Sequence, residues 1–487
     1  MLGSQLGCTE KKKYYFFFSE GSVVNQVLCA VLINLPVFAY GASIGWMSPM
    51  TLLLQSKDTP TEHPLTDTEV SWMAAIAYIV CIFSDFLVAY LGDKIGRKIS
   101  LLMVSVCCAG CWISLLCSVK TWAFIFSRSM VGVAMAGSYV VCPLYTKEIS
   151  QDSIRGFLGS FVIFFHTTGN LFIYIIGDYL SFRMILMVCL SIPLVHIFFF
   201  IMMPESPSYL VKKGRKEEAK RAIAWLRCTE VDDKVVTQEI DAIEKEQEID
   251  GESSKFPIKA LLKDKTMFKA FRIAMLITLT RDVCGVIPVL NFAGDIFSMS
   301  SKGSGLVLTP NQQAMMLGAV QVTGAMLASS VVEKAGRKML FIVNSTISGL
   351  SMCALASWFL AKHYDVITPA WLPIIALCVC IFCDSAGLCP ISVVITTEMF
   401  SFKFRGAVIA TTMSTSCIAD FIQLLFFKPL AKAIGVYVPF YFFGCVCLLS
   451  ATYIGINAPE TKNKTLAQIY EDLERKNKKD KNTEMEL

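Results

Sequence analysis

Arg281 and Asp282 side by side, His166, Asp384 and Asp420 are the side chains best suited to chemistry in this chain, and all of them stand inside long apolar runs. A charge at mid-bilayer costs about 2.5 to 3.5 kcal/mol on insertion scales, so such residues face a cavity or a partner. Arg281 and Asp282 fall about 11 residues into their run, about 17 Å deep at 1.5 Å per residue. Neighbours on a helix do not face each other, so Arg281 is expected to pair with Asp384 or Asp420 on another helix. Two readings stand for it: a solute-facing charge or a permanent interhelical ion pair. His166 is either a ligand or a hydrogen-bonded packing histidine. Asn291, Gln321 and Ser416 add neutral donors and acceptors. This chemistry recognises a solute rather than making bonds. No nucleophile stands with a base, and no cofactor loop or metal-ligand spacing is present, so no enzyme activity, cofactor or metal is expected. The 19 cysteines are scattered along apolar runs, as at Cys107, Cys108, Cys111, Cys378, Cys380 and Cys383, where cysteine behaves as a small hydrophobe.

The elements holding these residues are membrane helices. A chain of 487 residues that is 54% hydrophobic and 17% charged needs a lipid solvent, and a net charge of +5 concentrated in a few loops points to orientation, not to nucleic acid. Twelve stretches of about 20 residues can each cross a hydrocarbon core of about 30 Å: 23–54, 70–91, 99–118, 121–145, 156–180, 182–203, 271–297, 312–332, 340–361, 371–397, 406–427 and 434–457. Lys and Arg crowd the N-terminus, the 92–98 insert, the central loop, the 333–338 insert and the tail, which makes those loops and both termini cytoplasmic. Lys11 to Lys13 precede an aromatic run, Tyr14 to Phe18, too short to span and without a cleavage site, so no signal peptide is expected. The expected organisation is an N-terminal tail (1–22), a six-helix bundle (23–203), a cytoplasmic helical linker (204–270) with Ala222, Leu226 and Ile240 on apolar positions, a second bundle (271–457) and a C-terminal tail (458–487).

The polar inserts repeat. Gly92-Asp93-Lys94-Ile95-Gly96-Arg97-Lys98 returns as Glu333-Lys334-Ala335-Gly336-Arg337-Lys338. Glu148 with Arg155 returns as Glu398 with Arg405, and Pro204-Glu205-Ser206 as Pro459-Glu460-Thr461. The three echoes sit at similar offsets, about half the chain, and read as two parallel repeats. This set resembles the major facilitator superfamily, and within it the sugar porters; Gly41 to Pro49 look most like the facilitated trehalose transporter branch. The resemblance implies an all-helical twelve-helix bundle with two six-helix halves that rock about a central site. It further implies that Asp93, Arg97, Arg128, Glu148 and Arg155 form one gating cluster, with Glu333, Arg337, Glu398 and Arg405 as its counterpart. Glu205 and Glu460 would tie each half to the cytoplasmic helices. The plain alternative is a set of solvated loop charges.

Sugar porters resembling this chain read hydroxyls with amides and tryptophans, and here those positions diverge. The family's helix 5 glutamine falls on Ile163, its Gln-Gln pair on Arg281-Asp282, its helix 7 asparagine on Ile287, its helix 10 tryptophan on Val393 and its Asn-Trp pair on Ser416-Cys417; Gln321 keeps an amide. Helix 1 has Ala39 to Ser43 where proton-coupled members carry aspartate, which favours uniport. The resemblance thus implies passive plasma-membrane transport of a small solute, a sugar such as trehalose or a hexose. A different, charged solute or a non-transporting sensor are the alternatives.

Overall fold

The computed structural model describes residues 23–251, 264–301, 308–400, 402–462, 464 and 466–474. The expected N-terminal tail and the chain beyond 474 lie outside the described residues. Among these, every regular element is a helix. The first half comprises α1 (Val24–Gly45), α2 (Met47–Leu54), α3 (Asp67–Ile95), α4 (Arg97–Cys117), α5 (Thr121–Ile149), α6 (Asp152–Gly159), α7 (Phe161–Tyr179) and α8 (Phe182–Phe200). Three short helices follow, α9 (Pro207–Lys212), α10 (Lys216–Arg227) and α11 (Lys234–Gly251). The second half runs through α12 (Lys265–Asp282), α13 (Val286–Ser301), α14 (Pro310–Ala335), α15 (Arg337–His363), α16 (Leu372–Cys383), a π-helical turn (Asp384–Leu388), α17 (Cys389–Met399), α18 (Phe402–Ile434) and α19 (Tyr437–Asn457).

Among the described residues, eleven helical stretches are long and apolar enough to cross a membrane. The 26-residue α14, about 39 Å long at 1.5 Å per residue, is the twelfth crossing. Large apolar side chains such as Phe83, Phe86, Phe198 and Leu449 point outward, as a lipid solvent allows. Lipid gives helices no hydrophobic reason to associate, so small residues must let the backbones approach. A Cβ on Gly41 of α1 would lie 2.2 Å from the His166 carbonyl oxygen of α7, and one on Gly169 of α7 would lie 2.3 Å from that of Phe38. Gly132 of α5 meets the Ala77 carbonyl of α3 in the same way, at 2.4 Å. The two halves meet along two main seams, α3 against α18 and α7 against α14, and α2 also packs on α13, where Gly294 N donates to Ser48 Oγ at 2.9 Å.

Among the described residues four crossings are interrupted. The first breaks at Trp46, between α1 and α2, and the fifth at Ser160, between α6 and α7, both at residues that keep helical dihedrals. The seventh breaks between Asp282 and Val286, where Gly285 takes φ +90° and a Cβ would meet the Phe443 ring at 2.5 Å. The tenth widens into the π-helical turn at Asp384. Irregular backbone at membrane depth is tolerated where protein or a cavity surrounds it, and π-turns concentrate at functional sites. The linker helices share a small core of Tyr209, Leu210, Ala222, Ile223, Val236 and Ile240. Leu226 joins the main core instead. The linker docks on the first half, with Arg227 Nη1 donating to Ile149 O at 2.9 Å and Asn25 Nδ2 to Trp225 O at 2.7 Å.

Gly169→Val should destabilise the protein by about 1 to 3 kcal/mol through overpacking. Gly110→Ala, where a Cβ meets nothing within 4 Å, should be nearly neutral. Thermal unfolding of the two variants in one detergent checks the contrast.

Candidate functional site

At the face that carries the two Gly-Arg-Lys inserts, the repeat holds residue for residue in its main contacts. Gly96 (φ +106°) and Gly336 (φ +80°) precede α4 and α15. A helix start leaves four backbone N–H groups without intrahelical partners, and a carboxylate near it is favoured by the helix dipole. Glu205 Oε1 accepts from the Arg97 and Lys98 amides, both at 3.0 Å. Glu460 accepts from the Arg337 and Lys338 amides at 2.9 and 3.2 Å. A Cβ at position 96 would lie 2.2 Å from Glu205 Oε2, so glycine is required for both its φ and its size. The arginine beside each cap reaches sideways. Arg97 forks onto Glu148, Nε to Oε2 and Nη2 to Oε1 both at 3.1 Å, and pairs with Asp93 at 2.9 Å. Arg337 takes Glu398 Oε1 through Nε at 3.1 Å and Nη2 at 2.9 Å. Ser206 Oγ donates to Glu148 as Thr461 Oγ1 does to Glu398, and Lys98 and Lys338 each reach a carbonyl, Ile201 O and Gly455 O, at 2.6 Å. Glu205 and Glu460 therefore act on the helix starts, fastening the beginning of the linker and the end of α19 to them.

Arg128 departs from the expected cluster. It is 2% exposed, in the first third of α5, and donates from Nε to Met73 O (3.1 Å) and from Nη1 to Ser43 O (2.6 Å). About 30 Å of helix separates it from Glu148, so it cannot belong to the same group; it ties α5 to α1 and α3 beside the Trp46 break. Glu148 is engaged by Arg97, while Arg155 is exposed and donates to Ser150 O at 3.3 Å. The side chains of Glu333 and Arg405 lie outside the described residues.

The centre of the molecule holds the other cluster. Arg281 Nη1 lies 2.8 Å from Asp282 Oδ1, and its Nε lies 3.8 Å from Asp384 Oδ1. The pairing of sequence neighbours corrects the expectation from helical geometry. Asp282 is the last residue of α12, so no following turn holds the two side chains apart. The expected partner Asp384 is also present, at longer range. Gln423 Nε2 bridges Asp282 O (3.2 Å) and Asp420 Oδ1 (2.6 Å). Asp282, Asp384, Ser416 and Asp420 are 0%, 4%, 5% and 3% exposed, whereas the Arg281 side chain is 24% exposed. Ser416 Oγ and Asp282 Oδ2 have no hydrogen-bond partner among the described residues. Asn291 donates to Ile287 O at 2.9 Å and faces Tyr78 of the first half. Across the seam Gln321 accepts from Asn170 Nδ2 at 3.3 Å. On the first half His166 stacks on Tyr40, ring centroids 5.2 Å apart, with Tyr139 at 6.5 Å and Nδ1 unpartnered. Toward the other face Lys428 pairs with Asp295 at 2.5 Å and donates to Gln55 at 2.9 Å, and Lys432 reaches Asp67 at 3.2 Å. The last two contacts cross between halves.

A model of the family described as sugar (and other) transporter matches residues 28–473. The chain belongs to that family. Among relatives, the human solute carrier family 2 facilitated glucose transporter member 6 is 27% identical over 467 residues, covering 90% of this chain and 89% of that one. The facilitated trehalose transporter Tret1 of Culex quinquefasciatus is 26% identical over 457 residues, covering 93% and 86%. The inward open xylose transporter XylE from E. coli superposes with a TM-score of 0.74 at 19% identity, over 92% of this chain and 99% of that one, which shows the same fold. This is a multi-pass membrane transporter of the major facilitator type, as the repeated inserts imply.

Sequence reasoning about this transporter missed Tyr40, Tyr139, Asn170 and the Lys428–Asp295 pair. The tyrosines and Asn170 read as ordinary residues of apolar helices, and Asp295 sits near a span end, where charge is unremarkable.

Two outcomes are expected. Burial pushes Glu205 above the ordinary carboxylate range despite its backbone bonds, whereas at Glu460 burial is outweighed by amide bonds from Lys462, Arg337, Lys338 and Thr461, which hold it below. Glu460 thus contributes stability above the ordinary range that is lost as pH falls through its folded value, while Glu205 is costly to keep charged at neutral pH and is relieved on acidification. At neutral pH Glu460→Gln should lower the melting temperature more than Glu205→Gln, and the gap should narrow as pH falls. At the centre, Arg281→Gln should cost about 3 to 5 kcal/mol by stranding buried carboxylates. Asp384→Asn, which removes one of two carboxylates around one guanidinium, should cost under about 1.5 kcal/mol. Thermal melts of the single variants test both.

Proposed function

We propose that the protein carries a small polar solute, a sugar such as trehalose or a hexose, across the plasma membrane by facilitated diffusion with alternating access, both termini and the linker being cytoplasmic. The observation that carries this reading is a polar centre between the two halves, set at interrupted helices, with Arg281, Asp282, Asp384, Ser416 and Asp420 on one side and His166, Asn170 and Gln321 as the remaining candidate contacts. Discontinuous helices at mid-depth are where transporters of repeated design bind their cargo. The relatives named for glucose and trehalose transport support the sugar, and the Lys and Arg distribution supports the orientation. The Arg97–Glu148 and Arg337–Glu398 pairs each close within one half, while Lys432–Asp67 and Lys428–Gln55 join the halves on the opposite side. That combination fits a resting state open to the cytoplasm, with the basic-face clusters as gates. Passage involves no bond making, so no catalytic role is assigned.

One observation favours a second reading, transport of a charged solute. Two buried carboxylates, Asp282 and Asp384, share one guanidinium while buried Asp420 is held by Gln423, and a cationic cargo would balance them.

Uptake into proteoliposomes across a panel of sugars and charged metabolites, with and without a pH gradient, tests the choice. The expected result is saturable uptake of a neutral sugar, insensitive to the gradient. If Arg281 and Asp282 line the cavity, Arg281→Gln with Asp282→Gln should improve neutral-sugar binding; if they are a structural pair, the variants should lose stability whatever solute is present. Uptake confined to cationic solutes would establish the second reading, and binding with no uptake of any solute would make the protein a sensor.

A further inference from the structure

Cys81 and Asp85 stand one turn apart on α3, and Cys417 comes to them from α18 of the other half. All three ligand atoms lie within 4.8 Å of one another, and Cys81 Sγ is 3.6 Å from Asp85 Oδ1. Residues four apart on a helix share a face, so the two α3 groups converge without strain. The ligand distances suit a tetrahedral site. Zn–S bonds of about 2.3 Å place two sulfurs about 3.8 Å apart, and modest rotamer adjustment brings the trio to that spacing. Cys81 and Cys417 are 2% and 5% exposed, while Asp85 is half-buried and leaves one side open. The two thiols lie within electrostatic reach of Tyr40, the ring stacked on His166, so the trio borders the central polar site. Among the described residues no other group of three such ligands gathers.

We propose that Cys81, Asp85 and Cys417 form a binding site for a thiophilic d10 cation, Zn2+ in the first instance, that staples α3 to α18 and holds the two halves in the arrangement seen here. Thiolate ligands select zinc and its heavier relatives over magnesium and calcium. Binding replaces the two thiol protons, which leave to water, with two metal–sulfur bonds; no oxidant or reductant takes part. The site draws ligands from both halves, so it is complete only while the seam is closed at this depth, and bound metal favours that state by mass action. The sequence hides it because the third ligand lies more than 300 residues from the other two.

The test uses the full-length protein in nanodiscs with Zn2+ or Cd2+ alone as probe. Wild type should show a thiolate-to-cadmium ultraviolet absorption band, and Zn2+ should raise its melting temperature. Zn2+ should also protect Cys81 and Cys417 together from maleimide, read by peptide mass spectrometry and reversed by a chelator. Cys81→Ser and Cys417→Ser should each weaken binding by more than the roughly 10- to 100-fold typical of an outer-shell partner. Asp85→Asn should weaken Zn2+ more than Cd2+, because a carboxylate is the harder donor. Equal metal affinity in wild type and both serine variants, or protection of one cysteine without the other, overturns the site. Binding with no change in melting temperature overturns the staple. None of these readouts uses a transported solute, so failure here is distinguishable from failure of the transport reading.

Discussion

Each half of this protein depends, at one face, on a distant carboxylate placed at the start of a membrane helix. The first amides of α4 and α15 have nowhere to go in their own helices, and at a membrane boundary the lost bonds are costly. Glu205 and Glu460 supply the acceptors. The preceding glycine must adopt a positive φ and leave room for the carboxylate, and the following arginine is then aimed at Glu148 or Glu398. One cap therefore sets the position of a helix, a loop and a buried ion pair. Ser206 adds a bond to Glu148 Oε2, which Arg97 also takes, and Thr461 takes the other oxygen, Oε2, of Glu398, which makes each cluster one closed network rather than a set of surface pairs worth about 0 to 1 kcal/mol each.

The centre works by the opposite logic. Where the basic-face clusters satisfy their carboxylates, the central one leaves Asp282 and Ser416 facing each other, with Asp282 Oδ2 and Ser416 Oγ outside hydrogen-bond geometry among the described residues. Arg281 must serve Asp282 and Asp384 at once, at 2.8 and 3.8 Å. The arrangement exists because two helices are interrupted there, one ending at Asp282 and one widened at Asp384. Breaks free backbone groups and turn side chains out of the helical register, which is how adjacent residues came to form a pair.

These differences explain what was legible in the sequence. The twelve crossings and the doubled inserts could be read because hydropathy and short motifs are local, and the offset between copies is nearly constant. A partner for Arg281 on another helix, Asp384 or Asp420, could be expected because charge at mid-depth demands one; the shorter contact, to Asp282, could not. Arg128 could not be placed, since its partners are two carbonyls, Ser43 and Met73, that carry no side-chain signature. The break at Trp46 lay inside an apolar run already rich in glycine and proline, where the Trp46 ring packs on Trp112, Phe124 and Phe182 of three other helices. Asn170 and Gln321 sit on different halves, and no spacing rule connects them.

The two seams between the halves are related by the repeat yet differ in chemistry. The α7–α14 seam is closed by a neutral amide pair, Asn170 with Gln321, and by small residues, with a Cβ on Gly318 meeting the Tyr174 ring at 3.0 Å. The α3–α18 seam carries Lys432–Asp67, the Trp72–Phe421 ring contact, and then Cys81, Asp85 and Cys417. At mid-depth the first half presents Tyr40, Tyr139 and His166 to the interface, while the second brings Arg281, Asp282, Asp384 and Asp420. The half that holds the charges is also the half whose seventh and tenth crossings are interrupted beside them. Local rearrangement at those interruptions can therefore change how the charged groups meet the first half, whose α1 and α7 pack closely at Gly41 and Gly169.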